Sequence, residues 1–131
     1  MLATRPDAVH LNVIESYFAC LNSEDWKRMG ALWCEECEFH TVGTHERRGR
    51  TAVLQFFARM FSAWKAHYEA PGRVFSADQS LAVEAYFTGT HVSGKRVTFE
   101  AIDVIDFKGG QIERIRSWYD LIAVRQKLAE L

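Results

Sequence analysis

Arg96-Val97-Thr98-Phe99-Glu100-Ala101-Ile102-Asp103-Val104-Ile105-Asp106-Phe107 is the stretch around which the rest of the chain organises. It holds no glycine or proline and is rich in β-branched and aromatic residues, so it reads as one long β-strand. Side chains of a strand alternate between its two faces. One face carries Val97, Phe99, Ala101, Asp103, Ile105 and Phe107, an apolar row interrupted by one carboxyl group. A lone carboxylate on such a face is costly to desolvate, and its pKa rises unless a partner compensates. Asp103 is therefore either a functional group or a core acid satisfied by a neighbouring cation or hydroxyl. The other face carries Thr98, Glu100, Ile102, Val104 and Asp106. Ile102 and Val104 would make it an exposed apolar patch.

Working outward, Gly109-Gly110 supplies a turn into a second strand, Ile112 to Asp120. On the other side Ser93-Gly94 joins a strand over Leu81–Val92, preceded by a short strand at Val74–Phe75. The first half of the chain has a different period. Asp7 is placed to cap a helix whose stripe is His10, Val13, Ile14, Tyr17, Phe18 and Leu21. A shorter helix follows Asn22-Ser23-Glu24-Asp25 and runs through Trp33. Glu38 to Val42 reads as a short strand and Gly43 to Gly49 as a loop. Val53, Phe56, Phe57, Met60, Phe61 and Trp64 keep helical spacing in a third helix from Thr51 to about His67. A last helix spans Leu121 to about Glu130. Helices first and a meander of strands after give an α+β fold with a curved antiparallel sheet wrapped on the helices.

A chain of 131 residues with a net charge of −1 is expected to form one domain, residues 1–131, with no polyanion partner. The basic run His45-Glu46-Arg47-Arg48-Gly49-Arg50 reads as a solvated loop, so no nucleic acid is expected. No apolar run approaches the ~20 residues of a membrane span. The first residues lack the apolar stretch of a secretory signal, so a cytoplasmic protein without a membrane partner is expected. Cys20, Cys34 and Cys37 form no disulfide framework. Cys34 and Cys37 with His40 are a weak metal signal, because alternation from Cys37 puts His40 on the opposite face, and no metal is expected. No glycine-rich nucleotide motif is present, and no cofactor is expected.

The stretches Tyr17-Phe18-Ala19-Cys20-Leu21-Asn22-Ser23-Glu24-Asp25, Gly49-Arg50-Thr51-Ala52-Val53-Leu54, Thr88-Gly89-Thr90-His91, Ile102-Asp103-Val104, Gly110-Gln111-Ile112-Glu113 and Trp118-Tyr119-Asp120-Leu121 resemble the nuclear transport factor 2-like superfamily, in particular its SnoaL-like branch. The resemblance implies a cone-shaped, cystatin-like α+β fold with three N-terminal helices. It does not name a reaction, since the fold hosts isomerases, cyclases, dehydratases, epoxide hydrolases and binding modules. Against ketosteroid isomerase, Tyr17 and Asp103 match the oxyanion-binding Tyr and protonated Asp, but the general base falls at Thr41, which is no base near neutral pH. Against limonene epoxide hydrolase, the water-activating Asp falls at Ser117, and its Arg and second Asp have no counterpart between Leu81 and His91. Both reactions are disfavoured in their known form. Against the SnoaL-type polyketide cyclases, Asp103 matches the acid/base Asp, and His91 matches the assisting His by motif. Alternation with Leu81, Val83, Ala85 and Phe87 points His91 inward, whereas a gapless match to the isomerase points it outward.

The resemblance thus makes Tyr17, Asp103 and His91 the candidate catalytic residues. Thr41, Phe57, Phe61, Trp64, Phe99, Ser117 and Tyr119 are the candidate substrate-binding residues, with plain core the default for Phe57, Phe61 and Trp64. His10 is expected near the surface of its helix and His40 outward on its strand. Two functions stand side by side. One is a small isomerase- or cyclase-like enzyme for an apolar cyclic carbonyl or enol. The other is a non-catalytic small-molecule binding module, favoured by the missing base. A protein-interaction domain, as in the founding transport factor, would need a larger exposed apolar surface than the sequence suggests. The resemblance also implies a homodimer through the outer sheet face.

Overall fold

The computed structural model describes residues 4–130. Helix α1 (Ala8–Ser23) starts where the Asp7 carboxylate accepts from the Val9 amide at 2.7 Å. It buries His10, Ile14, Tyr17, Phe18, Cys20 and Leu21. Helix α2 (Trp26–Gly30) is capped by Asp25 and is shorter than the sequence suggests. Trp33, expected at its end, is the first residue of strand β1 (Trp33–Thr41) and is fully buried. Within the expected loop, Arg47–Arg48 forms a two-residue strand, β2, which pairs with β1.

Helix α3 (Arg50–Phe61) also ends earlier than its spacing predicts. The chain turns at Ser62 and Ala63 into β3 (Trp64–Ala77), so Trp64 is a strand residue, not the last member of a helical stripe. Bulges between Trp64 and Ala66 and between Pro71 and Val74 break the alternation of β3. Those irregularities hide the strand from a period-2 search. Pro71 is tolerated because β3 lies at the sheet edge. Strands β4 (Ser80–His91), β5 (Arg96–Lys108) and β6 (Gln111–Trp118) follow as antiparallel neighbours, and helix α4 (Leu121–Ala129) ends the described chain. Gly94, Gly109 and Gly110 take positive φ in the two hairpin turns, where L side chains are disfavoured.

The six strands form one curved sheet in the order β2-β1-β6-β5-β4-β3. It is mixed, which corrects the antiparallel expectation: β1 runs parallel to β6. Parallel neighbours need a long crossover, and α3 with β3, β4 and β5 is that crossover. The inner face of β5 is the row that alternation indicates, with Val97, Ala101, Asp103, Ile105 and Phe107 buried and Phe99 half-buried. Helices α1 and α3 cover this face. Phe57 of α3 is 1 % exposed and packs its ring against those of Tyr17, Trp33 and Phe39 at centroid distances of 6.3, 5.9 and 4.9 Å. Truncating such a residue to alanine typically costs about 3–5 kcal/mol. His10 is not near the surface. It is buried and stacks on Phe107 at 4.0 Å, because α1 lies across the end of β5. His40 points away from the buried row Cys37, Phe39, Thr41 and bonds the Thr44 carbonyl at 2.7 Å.

Candidate active site

The curvature of the sheet leaves space between its inner face and helices α1, α3 and α4. This space is a cavity of about 340 Å³. All of the residues singled out from the sequence border it: Tyr17, Asp103 and His91, then Thr41, Phe57, Phe61 and Trp64, then Phe99, Ser117 and Tyr119. They do not play equivalent parts. Tyr17, Asp103, Thr41 and Ser117 are each less than a tenth exposed and form the cavity floor, with Ser117 opposite Asp103 on β6 and Thr41 opposite Ser117 on β1.

His91 reaches the cavity elsewhere. It continues the inward row of Leu81, Val83, Ala85 and Phe87, which decides its facing. Yet Asp103 pairs with Val83 on β4, and eight residues of extended chain span roughly 26 Å. His91 therefore sits at the mouth, its ring bonded to the Ser93 hydroxyl at 2.9 Å and edge-on to Trp64 at 5.5 Å. It is not placed to assist Asp103 directly.

Between floor and mouth runs an aromatic wall. Tyr119 stacks on Phe99 at 4.6 Å, Phe99 on Phe87 at 4.7 Å, and Trp64 meets Phe87 edge-on at 4.9 Å. Gly89 makes this possible. A Cβ there would lie 2.8 Å from both Trp64 Cε3 and Phe87 Cζ. On the facing side Leu121, Val124 and Leu128 give α4 an apolar stripe over the cavity. No residue of α4 is buried, and the Lys95 ammonium fixes its last turn by donating to the Leu128 carbonyl at 2.7 Å.

One cavity residue was not foreseen. Glu69 on β3 borders the same cavity as Asp103 and Tyr17. Its backbone is held by Asn22 at the end of α1: the Asn22 amide donates to the Glu69 carbonyl at 2.9 Å and accepts from its N–H at 2.8 Å. Because β3 is an edge strand, Asn22 takes the place of the neighbour that Glu69 lacks. Sequence reasoning passed over Glu69 because it falls between the apparent end of helix 3 and Pro71. Only the pairing of β3 with β4, with Glu69 opposite Phe87, brings it inside.

Tyr17, Asp103 and Glu69 share an electrostatic problem. Burial pushes the Asp103 carboxyl up to about 6, against a smaller opposing effect from the neighbouring Ser117 hydroxyl. Glu69 keeps one side open to the cavity, yet its apolar surroundings, then the charge of Asp103, push it up to about 8. Burial, then Asp103, then Glu69 raise Tyr17 well above the usual phenol value. Among the described residues no cation offsets either carboxyl. With both carboxyls pushed up, at least one proton stays on the two acids near neutral pH. Among the described residues no cluster of His, Cys, Asp and Glu has the arrangement of a metal site.

A family model described as SnoaL-like polyketide cyclase matches residues 11–128. The chain belongs to this family. No curated protein matches the sequence significantly. Solved structures share the fold at low identity. An epoxide hydrolase of M. tuberculosis, like limonene epoxide hydrolase, is 18% identical with a TM-score of 0.79, over 92% of this chain and 89% of that one. TerC, co-crystallised with polyporic acid, is 15% identical with a TM-score of 0.85, over 94% of this chain and 100% of that one. SalBIII, an epoxide hydrolase/cyclase-like enzyme of pyran ring formation in salinomycin, is 22% identical with a TM-score of 0.77, over 86% and 92%. Among the described residues no helix is long and apolar enough to cross a membrane.

Proposed function

We propose that the protein is a cofactor-free enzyme of the isomerase/cyclase kind, moving a proton on an apolar cyclic carbonyl or enol substrate. The observation that carries this is that Tyr17, Glu69 and Asp103 border one apolar cavity, with Asp103 acting on the other two and, among the described residues, no cation paired with either acid. Proton transfer needs a base and an acid together, and groups whose environments push their proton affinities up can supply both near neutral pH. The ionised carboxyl of the pair takes a proton from carbon beside the carbonyl. The protonated carboxyl and the Tyr17 hydroxyl donate to the oxygen as negative charge develops there, an effect commonly contributing about 3–4 kcal/mol per donor. Thr41, at the position of the isomerase base, is not needed, because Glu69 brings a second acid from another strand. The aromatic wall takes the ring of the substrate.

The test is a titration with 2-naphthol, a mimic of an enolate oxygen on a ring, against the wild type and the variants Tyr17→Phe, Glu69→Gln and Asp103→Asn. Binding by the wild type that weakens at least ten-fold in Tyr17→Phe and Asp103→Asn supports the reading. No binding by the wild type removes it. Binding of enolisable ketones without turnover would leave the non-catalytic binding module, the second reading.

A further inference from the structure

Two cations stand at the cavity mouth without partners. Arg59 on α3 and Arg125 on α4 border the cavity and are exposed at their outer ends. Among the described residues neither forms an ion pair or a side-chain hydrogen bond, whereas Arg73 and Arg114 pair with Glu84 and Asp106. Arg47 and Arg50 are spent on the His45 and Trp33 carbonyls. Nor do Arg59 and Arg125 act on the cavity's own acids: burial and Ser117 shape Asp103, and burial and Asp103 shape Glu69. Apolar surface from Phe61, Trp64, Val124 and Leu128 lies in the same cavity. The cavity thus has three zones in order: an acid floor, an aromatic wall and a basic mouth.

Guanidinium groups at the end of an apolar slot favour a carboxylate, which they can bind through two parallel N–H donors. We propose that the ligand is a ring-bearing carboxylic acid, its ring on the Phe87–Phe99–Tyr119 wall and its carboxylate held by Arg59 and Arg125 at the mouth. The placement of its reacting carbonyl at the floor rests on the proton-transfer reading above, while recognition of the carboxylate does not. The same charges would draw such a substrate in and orient it with its neutral end toward the acids. Reversed entry would bring a carboxylate against Asp103 and Glu69 and is repelled.

Calorimetric titration tests this with 2-naphthoate and its neutral isostere 2-naphthamide at pH 8 and low salt. The proteins are the wild type, Arg59→Gln, Arg125→Gln and the double variant. The wild type is expected to prefer the naphthoate by about ten-fold or more, the worth of charge-assisted hydrogen bonds. Each single variant loses part of the preference and the double variant loses all of it, while affinity for the amide stays within about two-fold throughout, showing that the cavity is intact. Equal affinities in the wild type, or a preference surviving in the double variant, overturns the proposal. Failure of both ligands to bind overturns it together with the pocket reading. A preference that behaves as expected in a protein that exchanges no carbon-bound proton supports the carboxylate site and sinks only the proton-transfer reading.

Discussion

Replacing Asp103 with asparagine should stabilise the protein at alkaline pH while disabling it. Asp103 is 3 % exposed, and burial lifts its pKa from 3.8 to about 6. A folded-state pKa above the unfolded value means that the folded protein holds the proton more tightly. The associated stability is fully present below about pH 4 and is lost as pH rises through 6. At 1.36 kcal/mol per pH unit, ionising Asp103 in its site costs about 3 kcal/mol by pH 8. Glu69 adds a loss of the same sign that continues through about 8. Asparagine keeps the shape and never ionises. It also removes the Asp103 charge that helps to raise Glu69. In urea denaturation followed by tryptophan fluorescence, Asp103→Asn is expected to match the wild type within about 1 kcal/mol at pH 4. At pH 8 it should exceed the wild type by up to about 3 kcal/mol. A variant less stable than wild type at both pH values, with an unchanged pH slope, would refute the reasoning. It would show Asp103 to be a satisfied core acid, its charge compensated in the fold.

Three further outcomes follow from the packing. Asn22→Ala removes both hydrogen bonds to the Glu69 backbone and should cost about 1–3 kcal/mol. It should also lower turnover beyond what the stability loss explains; unchanged turnover would mean that Glu69 needs no positioning. Gly89→Ala forces a Cβ against Trp64 and Phe87 and should lower stability by about 1–3 kcal/mol, with a shift in tryptophan emission; an unperturbed melting curve would contradict the close packing of that wall. The outer sheet face exposes Tyr68, Tyr86, Ile102 and Trp118, and light scattering at micromolar concentration should give a dimer mass that Ile102→Glu with Trp118→Glu reduces to a monomer. A monomer mass for the wild type would remove the expected dimer.

Much of this architecture can be read from local pattern. Alternation in Arg96–Phe107 identifies the inner face and the odd carboxyl on it, and paired glycines mark the turns. The rest depends on partners distant in the chain. The apolar spacing that builds α3 runs on past Phe61 to Trp64, so helical period alone cannot show that the chain has entered β3. The bulges of β3 and Pro71 then conceal its alternation, and Glu69 is concealed with them. The parallel pairing of β1 with β6 joins strands separated by most of the chain, and no local signal reports it. His91 shows the limit of motif matching. Its motif is present and its side chain points inward, yet its distance along β4 from Val83 puts it at the mouth. Alternation singles out Asp103 and the resemblance adds Tyr17, whereas Glu69, the acid that replaces a base at Thr41 in the proposed proton transfer, emerges only from the three-dimensional arrangement.

The most direct measurement of the central claim is exchange of the carbon-bound protons of 2-tetralone, an apolar enolisable cyclic ketone, followed by NMR in heavy water. The account predicts that the wild-type protein accelerates exchange beside the carbonyl well above the buffer rate. Glu69→Gln and Asp103→Asn should each lose about 100-fold or more of that acceleration. Exchange at the buffer rate with wild-type protein, or acceleration that both variants retain, would contradict the claim that Glu69 and Asp103 together move a proton.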